Sequence, residues 1–365
     1  MEKYIEIAGR KIGPKYTPVV IAEIGINHNG SLEIAKSMVD AACNAGIEII
    51  KHQTHIPEEE LSPLAKEMKT YNEDSDNLYE TLEKLCLSED EERELKNYVE
   101  DKGMIFISAP FSFAAVDRLE RMEIKAYKIS SSQMNNYPLV EYVASKRKPI
   151  ILSTGMNDIA SVKKAVDTIK KYHQQFALLH CTNIYPTPAD KIRLNALKEL
   201  EKAFPNTVIG LSDHSLNNNS SYAALTLGAS IIERHFTDKK NRKGSDIPWS
   251  MIPEEARQLL SFAKDIHKMM PGKKEPIEPL DKDAVEEMLK RQGIKLEHNE
   301  GHNFVYTANM IKSDFWKSSI EDEAHMTKMI KDIIDDPDNP GGNLFRKWLA
   351  DADALGFVID WEEIL

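Results

Sequence analysis

The chain has 365 residues, 41% of them hydrophobic, and a formal net charge of −12. That length buries one large core and leaves room for a second small unit, while the acidic balance weighs against nucleic acid or an anionic membrane as a general partner. No apolar run reaches transmembrane length and no basic-then-apolar leader is present, so the sequence reads as a soluble, cytoplasmic protein.

Eight short apolar runs follow in chain order: PVVIAEIG (18–25), IEIIKHQ (47–53), MIFISAP (104–110), KAYKIS (125–130), PIILSTG (149–155), FALLHCTN (176–183), TVIGLSDHS (207–215) and ASIIERHF (229–236). Turn residues bound each run. Stretches of helical periodicity lie between and after them, at 31–45, 112–121, 157–171, 189–204, 216–227 and 253–269. Continuous apolar strands alternating with amphipathic helices describe a parallel sheet covered by helices. Eight such units predict a (β/α)8 TIM barrel over 1–270, with functional groups at the C-terminal ends of the strands. No GxGxxG turn follows the first strand, which disfavours an open dinucleotide-binding sheet.

Charged or metal-ligating side chains end most of the runs: Glu23, Lys51, Lys128, His180, His214 and His235. A lysine beside a barrel core is costly to desolvate unless an anion or a carboxylate such as Glu23 answers it. Two such lysines in one mouth, with Ser131, Ser153 and Ser212 at neighbouring strand ends, suggest a phosphate or carboxylate cradle. His214 and His235 end adjacent strands, so both imidazoles can reach one divalent ion and leave open positions for substrate. Glu23 would orient a bound water or carry a proton. His180 reads equally well as a site group or as a supporting one. Cys43, Cys86 and Cys181 are odd in number and lack metal spacing, which suits buried thiols of a reducing compartment.

The segments AEIGINHNG (22–30), IKHQTHI (50–56), NNYPL (135–139), ILSTGMN (151–157), LHCTNIYPTP (179–188), GLSDHS (210–215) and ERHFTDKKNRKGSDI (233–247) closely resemble the N-acetylneuraminate (sialic acid) synthase family, from about residue 3 to about 270. The resemblance implies condensation of phosphoenolpyruvate with the open-chain aldehyde of an N-acylated amino sugar, with C–O cleavage and release of phosphate. It implies a divalent cofactor, Mn²⁺, on His214 and His235. Lys51, Lys128, Ser131, Ser153, Asn183, Ser212 and His235 match phosphoenolpyruvate-binding positions. Gln53, Tyr185 and Asp246 match positions facing the sugar, and Glu23 a proton-handling carboxylate. A homo-oligomer is also implied.

Three departures qualify the match. Gln133 stands where the family's catalytic loop carries a carboxylate, with Ser132 replacing a glycine beside it. Ala109 stands where a hydroxyl is usual. The family's antifreeze-like C-terminal domain is replaced by an unrecognised segment: a linker at 271–283, then a small, mainly helical domain over 284–365, a candidate site for a protein partner. Within it, His298 with His302, and Asp335, Asp336 and Asp338, read as surface and turn residues, and Trp316, Trp348 and Trp361 as packing anchors. A second reading is therefore a catalytically altered barrel acting as a ligand-binding sensor, scaffold or regulator. A related synthase acting on a phosphorylated sugar is a third, with no additional arginine cluster to support it.

Overall fold

The structure, a computed structural model, describes residues 3–67 and 77–270. The expected linker, the helical domain and the readings placed on His298, His302, Asp335, Asp336, Asp338, Trp316, Trp348 and Trp361 lie outside the described residues. A short antiparallel hairpin, β1 (Ile5–Ile7) and β2 (Arg10–Ile12), precedes eight parallel strands. These are β3 (Val19–Gly25), β4 (Ile49–Thr54), β5 (Ile105–Pro110), β6 (Tyr127–Ile129), β7 (Ile150–Ser153), β8 (Phe176–Cys181), β9 (Val208–Asp213) and β10 (Ile231–His235). Each pairs with the next, and β10 pairs with both β9 and β3, closing the barrel. All eight predicted runs are barrel strands, and among the described residues no helix is long and apolar enough to cross a membrane.

The described helices are α1 (Leu32–Ala45), α2 (Pro57–Glu60), α3 (Leu78–Leu85), α4 (Glu89–Asp101), α5 (Phe113–Arg121), α6 (Tyr137–Ser145), α7 (Ile159–Lys170), α8 (Asn195–Ala203), α9 (Asn219–Thr226) and α10 (Pro253–Met269). Local chemistry starts them: Ser31, Ser88, Ser112, Asn136 and Asp158 each accept a backbone N–H of the first turn. The helix expected over 189–204 starts later. Residues 189–191 form a separate 3₁₀ turn, because Thr182 Oγ1 donates to the Lys191 carbonyl at 2.9 Å and pins that segment to the end of β8.

The strands' period of two sorts side chains into two cores. Val19, Ile21, Ile49, Ile107, Ala126, Ile151, Ala177, Leu179, Val208 and Ile231 point inward, where Ile5, Ile7 and Ile12 of the hairpin pack against them. Val20, Ala22, Ile50, Phe106, Leu152, Leu178 and Ile232 point outward, under the helices. Continuing the inward rows by steps of two toward the strands' C-terminal ends gives Glu23, Lys51, Gln53, Lys128, Ser153, Cys181, Ser212, Glu233 and His235. The interior thus changes from apolar to charged over about one layer of side chains.

The outward row of β4 holds a buried polar cluster instead of hydrocarbon. His52 Nε2 lies 3.1 Å from His28 Nε2, and its other nitrogen is 3.7 Å from Glu92, which Arg118 approaches at 3.6 Å. Burial pushes the Glu92 carboxyl up to about 8, and pushes His28 down to about 4 and His52 well below the imidazole range. Folded Glu92 therefore keeps a proton that the unfolded chain releases above the ordinary carboxylate range, and that part of the stability is lost as pH rises toward 8. Urea unfolding of Glu92→Gln against the wild type is expected to shift in favour of the variant by about 2 kcal/mol between pH 6.5 and pH 8. A difference that does not change with pH would contradict this reading of Glu92.

Candidate active site

At the C-terminal end of the barrel the inward rows open into a cavity of about 350 Å³, within the range of small-molecule sites. Its lining includes Lys51, Gln53, Lys128, Ser131, Ser153, Asn183, Tyr185, Ser212, His214, His235 and Asp246, all of them expected from the sequence. Phe111, Ser130, Ser132, Cys181 and Glu233 complete it. Glu23 stands behind the wall, paired with Lys51 and accepting from Gln53 Nε2 at 3.1 Å. The close approach of those groups leaves no room beside Gly25, whose φ is +38° and whose added Cβ would meet both Glu23 Oε1 and Gln53 Nε2.

Glu233 is the residue that sequence reasoning missed. Its Oε1 lies 3.7 Å from Lys51 Nζ and 3.5 Å from Lys128 Nζ, and accepts from Ser212 Oγ at 3.3 Å. Burial works against its charge, but Lys128 and Lys51 outweigh that and hold the carboxyl below the ordinary range. Lys128 also donates to Ser153 Oγ at 2.8 Å. Burial, reinforced by Lys128 and opposed by Glu233, brings the Lys51 ammonium down to about 8. Both lysines are thus answered by carboxylates, the pairing that the sequence allowed for Lys51 with Glu23. Nearby, Ser131 Oγ accepts from the Gly155 N–H at 3.0 Å, and any Cβ on Gly155 would overlap the Asn183 amide oxygen. That glycine lets two polar side chains meet at the cavity wall.

The two histidines are adjacent, with ring centres 5.4 Å apart. His214 Nδ1 lies 3.0 Å from the Thr182 carbonyl, which can only accept, so Nδ1 carries a hydrogen and Nε2 is the nitrogen whose lone pair the neutral ring offers. Burial opposes the charged ring, but Cys181 and that carbonyl outweigh it and push its pKa upward until an ion takes the place of the proton. His235 Nδ1 is buried without a hydrogen-bond partner, 3.4 Å from Asp246 Oδ2. Burial first, then the nearby cations, hold His235 well below the imidazole range, in the neutral form that ligates metal. Rings at this spacing can both reach one ion at nitrogen–metal distances of ~2.1 Å, so the pair fits a divalent cation. Among the described residues no group of three or more His, Cys, Asp or Glu side chains is gathered for a metal, so the remaining positions would fall to substrate and water.

Behind His214 and His235, the outward-facing Asp213 and Arg234 brace the loops. Asp213 Oδ2 accepts from Ser220 and Ser221 at 2.6 Å each, and Arg234 donates to the Ser215 carbonyl at 2.6 Å and to Asn218. Tyr185 leans over the pair, its ring centre 4.2 Å from that of His214 and 5.7 Å from that of Trp249. Burial pushes the Asp246 carboxyl upward.

Three expected residues stand elsewhere. His180 is on the outward row of β8 and its Nε2 donates to the Ile192 carbonyl at 2.7 Å, so its role is to hold a loop. Gln133 does not line the cavity; its Oε1 accepts from Asn136 Nδ2 at 3.0 Å at the start of α6. Ala109 is buried on the inward row of β5, in register with Gln53, and also falls outside the lining. Ser132, by contrast, is at the mouth, 2.8 Å from Ser130 through their hydroxyls.

Comparison with known proteins agrees with this geometry. Residues 38–275 match the model of the NeuB family, and residues 260–352 match a domain of unknown function (DUF7841). An uncharacterized protein of Methanocaldococcus jannaschii is 39% identical over 289 residues, 79% of this chain and 82% of that one. The N,N'-diacetyllegionaminic acid synthase of Campylobacter jejuni is 36% identical over 259 residues, 69% of this chain and 77% of its own. Among solved structures, the N-acetylneuraminic acid synthetase of Leptospira borgpetersenii, crystallised with citrate, superposes with a TM-score of 0.69 at 29% identity, covering 80% of this chain and 97% of that one.

Proposed function

The chain belongs to the NeuB family, and from that premise we propose that it is a phosphoenolpyruvate-condensing synthase that makes a nonulosonic acid from an N-acylated amino sugar. The supporting observation is one cavity in which Lys51 and Lys128 flank Glu233 beside the His214–His235 pair. Lys51 and Lys128, with Ser131, Ser153, Asn183 and Ser212, hold the phosphate and carboxylate of phosphoenolpyruvate. Gln53, Tyr185 and Asp246 face the sugar. A divalent ion, Mn²⁺ by the family resemblance, would be held by His214 and His235 and would supply Lewis-acid polarisation of the aldehyde oxygen.

In the proposed reaction, carbon 3 of phosphoenolpyruvate bonds to the aldehyde carbon, whose oxygen takes up a proton. Water adds to carbon 2 and one of its protons is relayed to the aldehyde oxygen; Glu23, behind the wall, acts through its partners Lys51 and Gln53. The carbon–oxygen bond to the phosphate then breaks, so phosphate leaves with the bridging oxygen and takes the remaining hydroxyl proton as carbon 2 becomes the ketone. Among the described residues the cavity has no lysine or arginine beyond Lys51 and Lys128, each within 4 Å of a carboxylate. That charge balance suits one phosphorylated substrate and an amino sugar without a phosphate of its own.

The test is phosphate release from phosphoenolpyruvate with Mn²⁺ and a panel of N-acyl mannosamines. Sugar-dependent release supports the proposal, and its absence with every member of the panel overturns it. The Lys51 ammonium adds a pH signature. It is present below about 8 and lost above, so KM for phosphoenolpyruvate is expected to be flat from pH 6.5 to 7.5. It should then rise about tenfold per unit beyond the pKa of the free enzyme. A flat KM up to pH 9.5 would remove Lys51 from the anion cradle.

A further inference from the structure

Two walls of the cavity, Gln53 and Phe111, are held from behind by one residue, His55. The Gln53 amide donates from Nε2 to Glu23 Oε1 at 3.1 Å, and its Oε1 lies 3.0 Å from His55 Nε2. His55 Nδ1 stands 3.0 Å from each carboxylate oxygen of Glu60, the last residue of α2. The His55 ring is buried and stacks on Phe111, with centres 4.1 Å apart and planes 20° from parallel.

An amide has one donor end and one acceptor end, so its neighbours decide how it is turned. The Glu23 carboxylate, paired with Lys51, takes the NH₂ end. The carbonyl end then needs a donor, so His55 Nε2 must carry a hydrogen. The Glu60 carboxylate at Nδ1 also accepts, so both ring nitrogens donate and the ring is an imidazolium, a form that favours stacking on Phe111. A ring with its single hydrogen on Nδ1 would offer Gln53 a lone pair. The amide would then turn over and set its oxygen against Glu23.

We infer that His55, held by Glu60, is a positioning residue that fixes how the Gln53 amide is turned in the cavity wall, NH₂ end to Glu23 and carbonyl end to His55, and thereby sets affinity for the amino sugar. The inference rests on the reading that Gln53 faces the sugar. Long-range ¹H–¹⁵N spectra of the full chain at pH 7, with His55→Phe to assign the ring, are expected to show both His55 nitrogens protonated, and Glu60→Gln to leave one of them bare. A bare Nε2 in the wild type overturns the lock.

Kinetics with phosphoenolpyruvate, Mn²⁺ and N-acetylmannosamine give the second readout. His55→Phe keeps an aromatic ring against Phe111, and is expected to raise the sugar KM about tenfold with the phosphoenolpyruvate KM within about twofold. In a Gln53→Ala background the same change is expected to add less than about twofold. Equal rises in both KM values, or an undiminished effect without Gln53, overturn the inference. A wild type that releases no phosphate overturns the reaction proposed above, and the spectrum alone then decides the lock.

Discussion

His214→Ala is expected to lower phosphate release from phosphoenolpyruvate by on the order of 10³-fold while leaving the fold intact. The imidazole's contacts with the frame are both at Nδ1, to the Thr182 carbonyl at 3.0 Å, worth about 1 kcal/mol, and to Cys181 Sγ at 3.9 Å, a weaker one. The loop that carries it is anchored separately, by Asp213 on Ser220 and Ser221 and by Arg234 on the Ser215 carbonyl. Loss of the ring therefore removes the Nε2 lone pair from the cavity without removing the support beneath it. Steady-state release of phosphate, alongside a thermal melt within a few degrees of the wild type, is the measurement. Turnover within about tenfold of the wild type would mean that the histidine pair is structural.

The second large effect is on stability. Glu233→Ala leaves Lys128 with the Ser153 hydroxyl as its remaining polar side-chain contact among the described residues, while Lys51 still has Glu23. A buried charge stripped of its partner costs ~3–5 kcal/mol, and urea unfolding should show a loss of that order. The vacated position lies between two ammonium groups, so inorganic phosphate should bind there and restore stability. A concentration one hundred times its Kd recovers ~2.7 kcal/mol by mass action. A loss below about 1 kcal/mol, or one that phosphate does not relieve, would contradict the placement of Glu233 between the lysines.

Much of this arrangement was legible because the barrel strands are continuous apolar runs with a polar residue at one end. Lys51, Lys128, Ser153, Ser212 and His235 were each found that way, and all lie on inward rows. Glu233 is on the same row as His235 and two residues before it, and stepping inward from Ile231 finds it. It was passed over because an acidic residue inside an apolar strand carries no motif of its own. The same count separates Cys181, which faces the cavity, from His180, which faces the helices. Gln133 stands outside the lining, and strand counting gives no warning of it. It belongs to a loop, where no periodicity assigns a direction, and its amide is taken by Asn136 at the start of a helix. The cluster of His28, His52, Glu92 and Arg118 could not be read at all, because it joins a loop, a strand and two helices across more than sixty residues of intervening chain. The hairpin that seals the barrel floor was likewise hidden in three-residue strands.

In the proposed reaction the lysine cradle and the histidine pair serve one condensation, in which phosphate leaves by C–O cleavage. Phosphoenolpyruvate labelled with ¹⁸O in its bridging position, turned over with Mn²⁺ and an accepted N-acyl mannosamine, tests it directly. The label is expected in the released phosphate. Label retained in the sugar acid, or label released without any nine-carbon product, would contradict it.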